Sequence, residues 1–313
     1  MKSSIAVVIP CYNHGRFLGG AIESVLGQTL QPSEVVVVDD GSNDNTSEVV
    51  AKYGAAVHYV REEENRGLPA ARNRGVKETS SEWVAFLDSD DRWMPTKLYK
   101  QFEALSHNPD IDVIFTDFWH VAPQGARIDR GSERHRKGLE MVQWDRRTAP
   151  EVWVSTNRLI VPLLNGMIAC VCTLVMRRST FQQLGGFNES FRLAEDVDLL
   201  LRMACEGFVF GLVPEPLAMI YQHPNSLCRG NWKINEYTLK VLCGIEEKYP
   251  LDPNEYETIR LKKADIELSL AWHHFEDGDF RQSRRYAISS VRHGRIWRGL
   301  RAWLRACPLV RRL

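Results

Sequence analysis

The sequence predicts an α/β fold: a mostly parallel sheet flanked by helices, followed by a helical C-terminal region. Three observations carry this. Short apolar runs ended by polar residues recur through residues 5–87. Segments of helical period separate them, and strand–helix alternation at this spacing implies a parallel sheet covered on both faces. After about residue 226 the pattern is helical to the end. The chain has 313 residues, which suggests two domains at about 150 residues each. We place them at residues 1–225 and 226–313.

Ile5-Ala6-Val7-Val8-Ile9, ended by Pro10, reads as a buried strand. Phe17, Ala21, Ile22, Val25 and Leu26 then repeat at helical spacing up to Gly27. Val35-Val36-Val37-Val38 is a second buried strand, closing on Asp39-Asp40-Gly41-Ser42. A helix near 46–53, a strand at 57–60, a helix near 69–79 and a strand at 83–87 follow. Residues from about 125 to 156 are charged and aperiodic, so an irregular excursion is expected there. A strand at 170–176 and a helix at 197–205 come next. Farther on, Ala271, Phe275, Gly278, Phe280, Tyr286 and Ala287 loosely resemble one helix–turn–helix unit of a tetratricopeptide repeat. A single such unit cannot bury its own face.

Composition narrows the function classes. With 44% hydrophobic and 26% charged residues the chain is globular, not disordered, collagen-like or coiled coil. Lys+Arg and Asp+Glu both total 40, but the balance is uneven: from 281 to 313 there are ten arginines and no acid. The body at −10 argues against nucleic-acid binding, while the basic tail points to something anionic. Seven cysteines form no paired framework, and Cys170 with Cys172 lacks the second pair of a zinc site. Reduced cytosolic thiols are expected. The first apolar run is too short for a signal peptide. Residues 159–176 are uncharged, but Pro162, Asn165, Gly166 and Thr173 interrupt them, which reads as a loop and a buried strand rather than a membrane span.

In parallel sheets ligands sit beyond the carboxyl ends of the strands. Those ends are polar here: Cys11-Tyr12-Asn13, Asp39-Asp40 and Asp88-Ser89-Asp90-Asp91. Gly15 and Gly20 have the spacing of a phosphate loop, but Ala21-Ile22 stands where Lys-Ser/Thr is needed. Asp39-Asp40-Gly41-Ser42 is either a turn of turn-forming residues or a carboxylate placed to accept the ring N–H of a uracil. Three carboxylates within 88–91 repel one another unless a cation sits among them. A divalent ion sharing diphosphate oxygens suits them; a solvated loop capping the next helix is the alternative. Glu195-Asp196-Val197-Asp198 opens a helix, where acids complement the dipole. The same dipole keeps a general base ionised.

The combination is more specific than its parts. Ile9-Pro10-Cys11-Tyr12-Asn13, Val38-Asp39-Asp40-Gly41-Ser42, Asn65-Arg66-Gly67 with Ala71-Arg72-Asn73, Leu87-Asp88-Ser89-Asp90-Asp91, Gly185-Gly186-Phe187 and Glu195-Asp196 occur in this order. Over about residues 3–223 the chain resembles family-2 glycosyltransferases of the GT-A fold, of the bacterial polysaccharide and cell-envelope type. The resemblance implies a nucleotide-diphosphate-sugar donor, most simply a UDP-sugar, a Mn or Mg ion, inversion at the anomeric carbon, and a saccharide or lipid-linked acceptor. By the same resemblance Pro10 and Tyr12 stack on the base, and Asp40, beside Asp39, reads it. Arg72 lies near the uracil. Asp88 faces the ribose, Asp90 the metal, and Ser89 lies between them in the cofactor site. Asp91 and His223 are further metal candidates, and Asp196 is the base that takes the acceptor proton. Gly185, Gly186, Phe187 and Glu195 shape the acceptor side. The chain lacks the Q-x-x-R-W motif of processive members.

Two rival classes remain. A non-catalytic sugar-nucleotide-binding scaffold would dock partners through the helical end, yet it would be expected to lose Asp90 or Asp196. A nucleotidyltransferase would need a basic glycine-rich loop after the first strand, and Cys11-Tyr12-Asn13-His14-Gly15 is not one. At the C-terminus, Ile296, Trp297, Leu300, Trp303, Leu304 and Cys307 fall within about 120° of a helical wheel, opposite Arg295, Arg298, Arg301 and Arg305. This pattern predicts an interfacial helix on an anionic membrane surface. The expected location is therefore cytoplasmic, peripheral on the inner face of the cytoplasmic membrane.

Overall fold

The computed structural model describes residues 4–148, 150–223 and 231–295, with 298, 300 and 302. The chain divides into two compact units, Met1–Pro224 and Asn225–Leu313.

The first unit is built on one sheet. Its parallel part begins with β1 (Ile5–Cys11), β2 (Glu34–Asp39), β3 (His58–Arg61) and β4 (Trp83–Phe86). β1 is buried at every position, as a strand covered on both faces must be. Helices α1 (Gly15–Leu26), α2 (Thr46–Ala51) and α3 (Leu68–Lys77) make the crossovers. Next come β5 (Arg92–Trp93), α4 (Lys97–His107), β6 (Val113–Val121) and β7 (Arg127–Arg130). Two short helices, α5 (Gly131–Arg134) and α6 (Arg136–Glu140), lead to β8 (Trp144–Thr148) and β9 (Glu151–Ser155). The unit closes with α7 (Ile160–Asn165), β10 (Val175–Arg177), α8 (Arg178–Gln183), α9 (Glu195–Cys205) and β11 (Phe210–Tyr221).

Strand order is β3-β2-β1-β4-β10-β6-β11-β9-β8, with β5 on β11 and β7 on β6. β1 pairs in parallel with β2 and β4, and β6 with β11. β10 runs antiparallel between β4 and β6, so all six of the strands β1–β4, β6 and β11 point the same way. The sheet is thus mixed, with antiparallel pairings at β10, at the short strands β5 and β7, and along the β9–β8 edge. That edge differs from the irregular stretch expected for 125–156. β8 and β9 form a hairpin whose Val152 and Val154 are buried while Arg146 faces out, an alternation too short to stand out among its charges. The strand expected over 170–176 is shorter too. The Thr173 hydroxyl donates to the Cys170 carbonyl at 2.7 Å and winds 171–173 into a turn before β10.

Two packing details give measurable consequences. α3 lies so close to β1 that a Cβ on Gly75 would sit 2.2 Å from Val8 Cγ1. Overpacking of this kind costs about 1–3 kcal/mol, and helix propensity returns about 1. Gly75→Ala is therefore expected to lower the urea midpoint; an unchanged midpoint would contradict the packing. In α4, Lys97 is fully buried, its ammonium donating to Gln101 at 2.7 Å over the Trp93 ring. Burial lowers its pKa to about 7. Between that value and the ordinary lysine range of about 10.4 the unfolded chain binds the extra proton, so stability contributed here rises with pH. Lys97→Met should remove that rise in urea melts between pH 7 and 10; an identical pH slope in both proteins would refute it.

The second unit holds α10 (Lys233–Lys248), α11 (Pro253–Glu276) and α12 (Phe280–Arg292). Asp252 and Glu255 form a capping box at the start of α11. α11 and α12 pack antiparallel through small residues: Ser283 Oγ donates to the Ala271 carbonyl and Ser290 Oγ to that of Ala264. α10 adds a third helix, with Lys263 of α11 bonded to Glu246 at 2.7 Å. No helix among the described residues is long and apolar enough to cross a membrane. Most of the amphipathic helix expected near the C-terminus, including Ile296, Trp297, Trp303, Leu304 and Cys307, lies outside the described residues. Arg295, assigned to its basic face, instead forms a bidentate pair with Asp265 at 2.6 and 2.7 Å.

Candidate active site

The carboxyl ends of β1, β2 and β4 are neighbours in the sheet, and the polar residues that follow them meet there. After β1 the chain turns at Asn13, left-handed with φ +53°. Its N–H donates to Ser42 Oγ at 2.9 Å and its Oδ1 accepts from the Asn43 N–H at 2.8 Å. Tyr12 is left 44% exposed at this edge. Pro10, expected beside it, is buried within β1 opposite Val38.

The two carboxylates after β2 do different work. Asp39 is fully buried; it accepts from the Ser42 N–H at 2.8 Å and from the Tyr59 hydroxyl at 2.5 Å. Burial and this carboxylate hold the Tyr59 phenol protonated well above its usual range. Asp39 is a brace, and its place among the base-reading residues is corrected accordingly. Asp40, 3% exposed, accepts from the Arg66 and Gly67 N–H groups, one on each oxygen, at 2.9 and 2.8 Å. Each carboxylate oxygen keeps a second acceptor site.

Beyond β4, Asp88 Oδ1 accepts from Arg72 Nη2 at 2.7 Å, and Arg72 Nη1 donates to Glu195 Oε1 at 2.8 Å. Arg72 is 2% exposed and bridges these two carboxylates as an internal counter-ion. Ser89 is buried, its hydroxyl 3.1 Å from His14 Nδ1. Asp90 Oδ2 meets His223 Nε2 at 2.8 Å. The His223 ring stacks on Phe17 at 4.9 Å and stands edge-on to His14 at 6.0 Å. Asp91, a further metal candidate, is buried and accepts the Tyr221 N–H at 3.0 Å, tying this loop to the end of β11. Burial, then the neighbouring Asp90 and Asp88, push its carboxyl well above the usual range. It tethers the loop to β11.

Glu195 and Asp196 open α9 after Ala194, which is left-handed at φ +60°. Burial raises both carboxyls, Glu195 against the opposing pull of Arg72. Asp196 Oδ1 accepts the N–H of Val197 at 2.8 Å. Glu195, expected at the acceptor surface, faces inward to Arg72. Phe187 is likewise buried, edge-on to Phe86 at 5.4 Å, and Gly186 packs on Asn73. Gly185 has open space around it. Phe187, Gly186 and Glu195 thus pack inward, while Gly185 is exposed. Residues that sequence reasoning passed over are His14 and Phe17, which carry no motif signal of their own, and Arg202. The last donates to the Leu184 and Gly186 carbonyls at 2.8 Å each and clamps the loop before α9.

Arg72 pairs with Asp88 and Glu195 and feels Asp196, while Asp90 and Asp91 follow Asp88 in the same loop with no lysine or arginine of their own among the described residues, and a dication suits such a gathering of carboxyl groups. Asp90 and Asp88, with side chains 18% and 30% exposed, and the His223 imidazole are the donors that fit. Among the described residues no three such groups are arranged to hold an ion alone. A Mg-type ion held by one or two carboxylates and substrate phosphates needs no such cage.

The glycosyl transferase family 2 model matches residues 6–185. An uncharacterized glycosyltransferase of Rickettsia typhi is 32% identical over 195 residues, 62% of this chain; the chain spans only 57% of that relative's length. The putative teichuronic acid biosynthesis glycosyltransferase TuaG of Bacillus subtilis is 29% identical over 249 residues, 78% of this chain and 89% of that one. Among solved structures, S. aureus TarS 1–349 in complex with UDP-GlcNAc has a TM-score of 0.58 at 17% identity, over 92% of this chain and 91% of that one. The mannosyltransferase PcManGT of Pyrobaculum calidifontis, in complex with GDP-Man and Mn2+, has a TM-score of 0.59 at 17% identity, over 100% and 83%. These likenesses show the fold, a GT-A glycosyltransferase fold with C-terminal helices. Strand-end carboxylates, fold and a family match over more than half of its length together make this chain a member of glycosyl transferase family 2.

Proposed function

We propose that the protein is an inverting glycosyltransferase, moving a sugar from a UDP-sugar to a hydroxyl of a saccharide or lipid-linked acceptor. The observation that carries this is the meeting of Asp88, Asp90 and His223 with the helix start that bears Asp196, linked through Arg72. Tyr12 supports the base ring, and Asp40 accepts its N–H. Asp88, Asp90 and His223 are the residues that would hold a Mn or Mg ion. That ion, when bound, neutralises charge developing on the departing diphosphate. Asp196 takes the acceptor hydroxyl proton as the oxygen bonds the anomeric carbon and the bond to the diphosphate breaks. Attack opposite the leaving group inverts the centre in one displacement, by analogy with inverting glycosidases.

Structural neighbours carry both UDP-GlcNAc and GDP-Man, so the uracil preference rests on Asp40 and Tyr12 of this chain. The name of the Bacillus relative supports a cell-envelope polysaccharide as acceptor. A thermal-shift panel of nucleotide sugars, with and without Mn, is the test, because a ligand that binds only the native state raises Tm. UDP-sugars are expected to shift Tm in Mn alone. No shift with any nucleotide sugar in Mn would remove the proposal and favour a scaffold.

A place on the inner face of the cytoplasmic membrane is part of the same proposal. Arg281, Arg285 and Arg292 are exposed along α12 with Ile288, continuing the arginine-rich sequence that follows. Each basic residue near an anionic surface contributes about 1 kcal/mol. The full chain is expected to float with anionic vesicles at low salt, and truncation after Gly294 to weaken this strongly. A full chain that does not float would refute the membrane placement.

A further inference from the structure

We propose that Arg72 and its neighbour Asn73 are a positioning pair that locks the donor-side Asp88 to the acceptor-side segment 186–196. The terms donor side and acceptor side rest on the functional reading above; the lock itself is a matter of geometry. The Arg72 guanidinium bridges Asp88 Oδ1 at 2.7 Å and Glu195 Oε1 at 2.8 Å, and lies 5.1 Å from the Phe187 ring centre. Only a planar fork of donors reaches both carboxylates at once. Asn73, next on α3, grips the Phe187 backbone twice: its Nδ2 donates to the carbonyl and its Oδ1 accepts from the N–H, both at 2.9 Å. Nδ2 also reaches Glu189 Oε1 at 3.0 Å.

Two consecutive residues of one helix thus hold the segment at Phe187, Glu189 and Glu195. From the other side Arg202 of α9 ties down Leu184 and Gly186. Gly186, at φ +73°, leaves the space that Asn73 needs, since a Cβ there would lie 2.6 Å from Asn73 Oδ1. The left-handed Ala194 turns the chain so that Glu195 faces Arg72. The next residue, Asp196, lies about 100° further round the helix. The place of Asp196 relative to Asp88 is therefore set by α3, without Arg72 or Asn73 touching the reacting atoms. A shift of about 1 Å in such a geometry lowers turnover by about 10²-fold.

The test compares the full-length wild type with Arg72→Lys, and with Asn73→Ser, which loosens the same segment without removing a charge. Calorimetry with UDP and CDP in Mn, turnover, and amide hydrogen exchange are read for each. Both variants should bind UDP within about threefold of wild type and keep its preference over CDP, while kcat falls about 10–100-fold. Exchange should quicken at residues 196–199 and stay slow in β1. Loss of the UDP-over-CDP preference with kcat intact would overturn the proposal and return Arg72 to the base. Unchanged exchange at 196–199 in both variants would overturn it as well. Failure of the wild type to bind UDP would count against the functional reading instead, and the exchange data would still judge the lock.

Discussion

Asp196→Asn is expected to reduce sugar transfer by about 10²–10⁴-fold, the range lost with a positioned general base, while UDP affinity stays within about twofold. The Asp196 carboxyl stands at the first turn of α9, where burial raises it above the usual carboxylate range. Asparagine keeps the shape and can still accept the Val197 N–H, so the helix start should survive. Donor binding belongs to the strand ends and is separated from this loss. Transfer at the wild-type rate would reduce Asp196 to a helix-start residue with no chemical part.

Asp90→Ala should remove the effect of Mn on UDP binding and lower transfer by at least about 10²-fold, since an ion stabilises the leaving diphosphate by several kcal/mol. Asp90 reaches His223, and its side chain is 18% exposed. Asp91 makes the control. It is buried and holds the Tyr221 N–H, and Asp91→Asn keeps the shape and an acceptor oxygen for that bond. That variant should keep its response to Mn in the same calorimetric titration. If Asp91→Asn loses the response and Asp90→Ala keeps it, the two assignments are reversed.

What could be read along the sequence was what depends on near neighbours. The all-apolar β1 and β2 runs, the helical spacing of α1 and the carboxylate cluster at 88–91 each signal themselves locally. Asp39 and Asp40 could not be told apart, because adjacent strand residues face opposite ways and their partners come from Tyr59, Arg66 and Gly67. The Arg72–Glu195 pair joins residues 123 apart, and no local pattern announces it. The β8–β9 hairpin was hidden for a third reason: one face is charged, and only Val152 and Val154 mark the other. His14 and Phe17 enter the site because α1 starts directly after β1, a placement that only the folded turn at Asn13 reveals.

The central claim, a metal-dependent uridine-diphosphate site at the carboxyl ends of β1, β2 and β4, is tested most directly by calorimetric titration of the full-length chain. UDP, GDP and CDP are each titrated in Mn and again in EDTA. UDP should bind in Mn, bind far more weakly in EDTA, and be preferred over the other two; equal affinity for all three, or binding indifferent to EDTA, would contradict the account.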